Sequence, residues 1–265
     1  MFYFDAHCHL LPRKQFIKAS NAGINYFICN ATHPQNWHKL LDIASTLPGI
    51  YPCIGIHPWY IADLKSDWQI KMQLLFEKYP HLMVGEIGLD TTRPNLARQA
   101  EVFEFCLKTA LKYHRSVHIH GHESWSLITD ILKCYPGLTC LFHRFSGTAS
   151  QAKQLSAITN AYFSLMSVRP ARYLPAERIL VESDSPDGLH KPARVIELAE
   201  RIGLDWAQLD ANFCRFLGET LPMKGDAPHH FLTMQDEPIS LQPENPTAQT
   251  FSDKHSQPID SEATK

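Results

Sequence analysis

At 265 residues the chain suits one large domain or two small ones, and its 44% hydrophobic and 20% charged residues exclude a fibrous or wholly disordered protein. No run reaches the roughly 18 apolar residues of a membrane helix, MFYFDAHCHLLPRK carries no basic leader or small-residue cleavage site, and seven cysteines without CxxC spacing fit reduced, mostly buried thiols, so a cytoplasmic location is expected. The net charge of −2 argues against a protein that coats nucleic acid; it is unevenly spread, because residues 226–265 hold seven acids against Lys254 and Lys265, a net of −5 that leaves +3 on residues 1–225.

Taken in chain order, short apolar runs predict strands at 2–5, 26–31, 51–56, 82–87, 116–120, 139–143, 162–166 and 178–182. Helical spacing separates many of them, at 34–47, 64–79, 95–113 and 123–134, with two more helices near 191–202 and 205–217 after the last strand. QAEVFEFCLKTALKYH gives the clearest stripe: Val102, Phe103, Cys106, Leu107, Ala110 and Leu111. Eight strands alternating with helices predict an α/β fold, a TIM-like (β/α)8 barrel, with a doubly wound sheet as the alternative. Only SVRPARYLPAE separates strands seven and eight, so the seventh unit is expected to be degenerate. From Asp226 on, a Pro-, Gln-, Ser- and Thr-rich segment without apolar period predicts a polar, acidic, disordered tail, giving a barrel at 1–225 and a tail at 226–265.

The first strand runs into His7 and His9, which share a strand face while Cys8 points away. An HxH pair alone is a weak signal. Ligand-type residues also end four other strands, however: Glu86, His120, His143 and Asp184, at the end of a barrel where chemistry resides. Four imidazoles and two carboxylates buried at one mouth are best explained by two divalent ions, with one carboxylate bridging. His and carboxylate donors suit magnesium, manganese or zinc alike.

DAHCHL, GIHP (55–58), GEIGLD (85–90), IH (119–120), HRFSG (143–147) and ESDSP (182–186) occur in the order and spacing of the TatD-like metal-dependent deoxyribonucleases, a branch of the amidohydrolase superfamily, which the chain resembles from residue 2 to about 218, ending in LDANFCRFLG. The resemblance implies a TIM-like barrel that hydrolyses DNA phosphodiesters with two divalent metals. It implies that His7, His9 and Asp184 hold the first metal, His120 and His143 the second, and Glu86 bridges them, with Asp184 also orienting and deprotonating the attacking water. His57 matches a family histidine that either meets the substrate phosphate or fixes a ligand from behind. Asp90 would orient a ligand or cap its own loop, and Glu182 and Ser185 would bond neighbouring loops.

Two departures concern strand five. His122, a candidate substrate contact, stands where most relatives carry a basic or hydroxyl residue, a departure that opens the phosphate contact to Arg144 instead, and His118 is an extra histidine expected to be a hydrogen-bonded core residue. Arg144 offers a phosphate a bidentate partner or pairs with a local carboxylate. Arg169 and Arg172 would line the mouth, and Trp59 and Tyr60 would stack a terminal base or pack the rim.

The leading expectation is therefore a nuclease acting on single strands or DNA ends. A binuclear amidohydrolase for a small amide or ester is the alternative, disfavoured because strand four supplies Glu86 and not a lysine for a carbamylated bridge. A third reading is a metal-loaded binding subunit whose tail tethers a protein partner.

Overall fold

A computed structural model describes residues 3–185 and 194–218. Eight parallel strands pair in sequence order: β1 (Tyr3–His9), β2 (Ile24–Ala31), β3 (Ile50–Ile54), β4 (Met83–Asp90), β5 (Val117–His122), β6 (Thr139–Phe142), β7 (Asn160–Leu165) and β8 (Ile179–Val181). Parallel neighbours need a return path outside the sheet. It is supplied by α1 (Arg13–Asn21), α2 (Pro34–Thr46), α3 (Trp68–Lys78), α4 (Leu96–Tyr113), α5 (Trp125–Leu132) and α6 (Ala149–Ile158), and α7 (Arg194–Ile202) and α8 (Trp206–Leu217) follow β8. The Asp184 N–H donates to the His7 carbonyl (3.0 Å) and the His9 N–H to the Ser185 carbonyl (2.5 Å), which brings β8 against β1 and closes the mouth of the TIM-like barrel.

The seventh unit is as reduced as its sequence predicts, with two 3-10 turns, Pro170–Arg172 and Ala176–Arg178, in place of a helix. Two helices were not among the sequence-predicted stretches, for a common reason. α1 buries only Phe16 and Ala19, and α6 only Ala152 and Leu155, so neither carries a broad apolar stripe. α6 is fixed instead by its start, where Thr148 and Gln151 form a reciprocal capping box. On α4 the expected stripe is buried except for Leu111, which is exposed, while Gln99 and Thr109 are buried.

The core fills the barrel and the layer between strands and helices. α8 packs against strand starts: Phe213 stacks on Phe4 with ring centroids 4.1 Å apart, Phe216 meets Tyr162, and the Asn212 amide donates to the carbonyls of Ala176 (2.8 Å) and Ile179 (2.7 Å). This floor leaves the opposite end for chemistry. The predicted tail, residues 226–265, lies outside the described residues, as do the predicted 191–193 start of α7 and Pro186 of ESDSP. Among the described residues no helix is long and apolar enough to cross a membrane. The seven cysteines are free thiols, five of them buried.

Candidate metal centre

Each candidate ligand reaches the mouth from a strand end. His7 and His9 close β1, where the pairing with β2 slips between Asp5 and Cys8; Glu86 lies in β4, His57 follows β3, His120 lies in β5, His143 follows β6 and Asp184 follows β8. Glu86 is at the centre and faces two ways. Its Oε2 lies 3.5 Å from His7 Nε2 and 3.6 Å from His9 Nε2, whereas its Oε1 lies 2.8 Å from His143 Nε2, 3.0 Å from His120 Nδ1 and 3.4 Å from His57 Nε2. Asp184 Oδ1 is 3.0 Å from His9 Nε2 and 3.9 Å from His7 Nε2. All six predicted ligands therefore meet, and His57 joins them.

Burial works against charge on each of these groups, and their neighbours decide the outcome. Burial raises the Glu86 carboxyl, but the charges of His143 and His57 and hydrogen bonds from His120 and His143 outweigh it, holding the carboxyl well below its usual range. Asp184 is likewise lowered, by the His9 hydrogen bond and the charges of His143 and His7 acting against burial. Burial dominates at His7, which is lowered, and at His120, lowered to about 4. His9 and His143 move upward despite burial, through Asp184 and Glu86 at the first and Glu86 and Glu182 at the second. The centre is a pair of carboxylates whose compensating cations are protons on imidazoles, and a divalent ion competes for the same nitrogens.

The donor set fits divalent metal. His7 Nε2 and Glu86 Oε2 are buried with no hydrogen-bond partner among the described residues, although both point into the centre. Three groups of donors each lie within 4.8 Å of one another: His7, His9 and Glu86; His57, Glu86 and His120; and His7, His143 and Asp184. Glu86 belongs to the first two, which it therefore joins. His57 lies in the second of these groups, 3.4 Å from Glu86 Oε1.

The residues around the ligands are more specific than their sequence suggests. Glu182 Oε1 lies 3.4 Å behind His143 Nδ1 and accepts the Arg144 N–H (2.7 Å), while the Ser164 hydroxyl donates to Oε2. A carboxylate behind a ligating imidazole fixes its ring and strengthens its basicity. The Asn30 amide lies 3.2 Å from His7 Nδ1. Glu182 is an acid directly after the apolar run of β8, two residues before Asp184, and Asn30 is a polar residue within YFICNA, which are the sequence signals that point to them. Asp90 caps its own loop: Oδ1 accepts the Thr92 N–H (2.9 Å) and hydroxyl (2.6 Å), and Oδ2 accepts the Trp59 indole N–H (2.6 Å).

Other sequence-predicted contacts are placed differently. Arg144 donates through Nη1 to Asp184 Oδ2 at 2.7 Å, so its guanidinium is paired with a local carboxylate. His122 is exposed and borders the outer cleft together with Arg169, while Arg172 does not line it. His118 is fully buried but not hydrogen-bonded; neither ring nitrogen has a partner among the described residues. It packs between His7 and Phe216, and burial holds it well below its usual range and so neutral.

Two cavities meet at the centre. An inner one of about 360 Å³ borders His9, Asn30, Asn36, His57, Glu86 and Asp184, and an outer cleft of about 1030 Å³ runs past Arg93, His122, Arg169 and Tyr173.

Comparison with known proteins gives this arrangement a family. The model described as TatD related DNase matches residues 4–202. An uncharacterized metal-dependent hydrolase YjjV of Escherichia coli K12 is 28% identical over 207 residues, covering 70% of this chain and 80% of the relative. The 3'-5' ssDNA/RNA exonuclease TatD of Edwardsiella piscicida is 25% identical over 231 residues, covering 76% and 88%. The crystal structure of Escherichia coli YjjV superposes with a TM-score of 0.72 at 22% identity, over 81% of this chain and 97% of that one, which shows a common fold.

Proposed function

The chain belongs to the TatD-related DNase family of metal-dependent hydrolases, and from that premise and the geometry of its centre we propose that it cleaves DNA phosphodiester bonds, at ends or in single strands. The observation that carries this reading is the division of Glu86, with one oxygen toward His7 and His9 and the other toward His57, His120 and His143. Such a carboxylate suits a pair of divalent ions, magnesium, manganese or zinc, held by His7, His9 and Asp184 on one side and by His120, His143 and His57 on the other. When bound, two ions supply a water of lowered pKa and charge against the phosphoryl and leaving oxygens. Asp184, whose carboxyl is held below its usual range by His9, His143 and His7 against burial, would orient the attacking water and accept its proton. Arg144 lies within reach of Asp184 and at the border of both cavities, where its guanidinium can turn to a phosphate oxygen. His122 borders the outer cleft as a further phosphate contact. The relative named 3'-5' ssDNA/RNA exonuclease supports a single-stranded substrate.

The test uses the purified protein stripped of metal and resupplied with magnesium, manganese or zinc on end-labelled single-stranded and duplex DNA, beside Asp184→Asn and Glu86→Gln. Metal-dependent cleavage in the wild type and about a hundred- to a thousandfold loss in either variant are expected, on the scale of removing preorganised electrostatic groups. No cleavage by folded, metal-loaded wild type would move the activity to a small amide or ester.

A further inference from the structure

Trp59 is 51% exposed, whereas the other four tryptophans, Trp37, Trp68, Trp125 and Trp206, are each 7% exposed or less. A large ring left in water is ordinary on a floppy rim, but this one is held. Its indole N–H donates to Asp90 Oδ2 at 2.6 Å, and the Arg93 guanidinium carbon lies 4.3 Å from its ring centroid. Asp90 is in turn fixed by Thr92 and by the Gln99 side chain, which accepts the Asp90 N–H at 2.9 Å. Trp59 is therefore a rigid aromatic post. It stands where the two cavities join, bordering both of them together with His120, His143 and Arg144.

The outer cleft has the charge of an anion track. Arg93, Arg144 and Arg169 line it, and its one acidic lining residue, Asp90, is occupied by Thr92 and Trp59, with Arg93 Nε 4.0 Å from its Oδ2. Arg169 has no carboxylate partner among the described residues. Hydroxyls of Thr92, Ser146 and Thr148 lie among the arginines, and Tyr173 adds a second exposed ring. The two volumes differ in a useful way: the inner cavity is near the small end and the outer cleft at the large end of the about 300–1,000 Å³ range of ligand sites.

We propose that the outer cleft is the track for the body of a single-stranded nucleic acid, with Trp59 stacking a base beside the metal centre while Arg93 and Arg169 take successive backbone phosphates. The inner cavity then receives the single nucleotide on the far side of the scissile bond. Aromatic posts interleaved with arginines are how single strands are bound without sequence preference, because every base has a π-face and every linkage a charge. Asp90 is a positioning residue here, acting through the indole. The inference rests on the nuclease reading and deepens it.

Binding of 5′-fluorescein-labelled dT8 to the metal-free full-length protein, followed by anisotropy across a salt series, tests the track apart from the chemistry. Trp59→Ala is expected to weaken binding by about tenfold or more, the scale of one stacked base. Trp59→Phe is expected to recover part of that loss. Arg93→Ala and Arg169→Ala are each expected to weaken binding and to lower the salt slope by about 0.7. Because Trp59 is the exposed tryptophan, bound dT8 should also reduce acrylamide quenching of the wild type. Circular dichroism and a melting curve check that each variant is folded.

Tight dT8 binding that the three alanine variants leave unaltered would overturn the track while leaving DNA hydrolysis by the wild type intact. Absence of dT8 binding in a protein that still hydrolyses bis(p-nitrophenyl) phosphate would overturn it too, and would restrict the hydrolase to small diesters. Loss of metal-dependent hydrolysis on every phosphodiester, in folded protein, would mark the failure of the nuclease reading itself.

Discussion

Glu182 touches no substrate position, yet His143 depends on it. The carboxylate lies behind Nδ1 and is pinned by the Arg144 N–H and the Ser164 hydroxyl, so the imidazole is presented with Nε2 forward. Glu182→Gln keeps an oxygen for the Arg144 N–H and can donate to the Ser164 hydroxyl, but it removes the negative charge behind His143 Nδ1. Metal affinity is expected to fall by about 10–100-fold, the scale of losing a partner behind a ligating histidine, as read by competition of zinc with a chromogenic chelator. Unaltered affinity would show that His143 does not need this carboxylate to bind metal. Residues of this kind were only partly legible in the sequence. The six ligands stand out because each is a titratable group at the end of an apolar run, a pattern that local chemistry makes visible. Glu182 carried the same mark but no partner, since its contact with His143 spans 39 positions of chain and exists only once β6 and β8 are brought together. Arg144 is open between two roles in the sequence for the same reason, and its 2.7 Å pairing with Asp184 is visible only in the fold.

At the scale of elements, two seams hold the mouth in shape. Between β4 and β5, Gly88 has φ +148°, and a Cβ there would lie 1.9 Å from the His120 carbonyl oxygen. Gly137 also has positive φ, +79°, but nothing within 4 Å of an added Cβ. Gly137→Ala should cost only backbone strain, about 1 kcal/mol, whereas Gly88→Ala must also push β5 away and should cost more than about 3 kcal/mol. Urea unfolding of the two variants measures the difference, and equal losses would refute the close approach.

The other seam lies between β1 and β8, where Asp5 Oδ1 accepts the Ser183 N–H at 2.9 Å and Oδ2 accepts the Ser183 hydroxyl. Burial pushes the Asp5 carboxyl from 3.8 up to about 7, against these hydrogen bonds. Between those values the folded chain keeps a proton that the unfolded chain has lost, so stability from this group is full below about 3.8 and is lost as pH rises through about 7. In metal-free protein, Asp5→Asn, which does not titrate, should therefore gain on the wild type between pH 5 and pH 8 in urea midpoint; parallel profiles would show that Asp5 is already ionised at pH 5. The strands that make these seams were legible as apolar runs. Their ends were not, since β1 extends to His9 and β4 to Asp90 through polar residues that only the closed barrel buries.

For the whole molecule the question is how much chain the catalytic body needs. The family match ends at residue 202, before α8 begins. α8 nevertheless belongs to the barrel. It buries Trp206, Leu209, Phe213 and Phe216, its Phe213 and Trp206 pack on Phe4, and Asn212 satisfies two carbonyls at the start of β8. Removing it would take these side chains from the core and bare Phe4, Tyr162 and the strand starts to water, a loss on the order of 2 kcal/mol for each large side chain, together comparable with the typical margin of stability. A chain ending at residue 205 is therefore expected to be insoluble or unfolded. A chain ending at residue 225 keeps α8 and loses the segment predicted to be a tail, and it should melt within a few degrees of the full-length protein.

Its charge changes more than its stability. Net charge passes from −2 to +3 when residues 226–265 are removed, so the repulsion that a polyanion meets on approaching the arginine-lined cleft becomes attraction. Binding of dT8 should tighten by a few fold at low ionic strength, and the advantage should vanish near 1 M salt, where the Debye length is about 3 Å. The measurement is dT8 anisotropy with both lengths of protein across a salt series, alongside DNA hydrolysis. A shortened protein that folds but neither binds nor cleaves DNA would show instead that residues 226–265 take part in the site, as a tethering or substrate-holding segment and not an appendage.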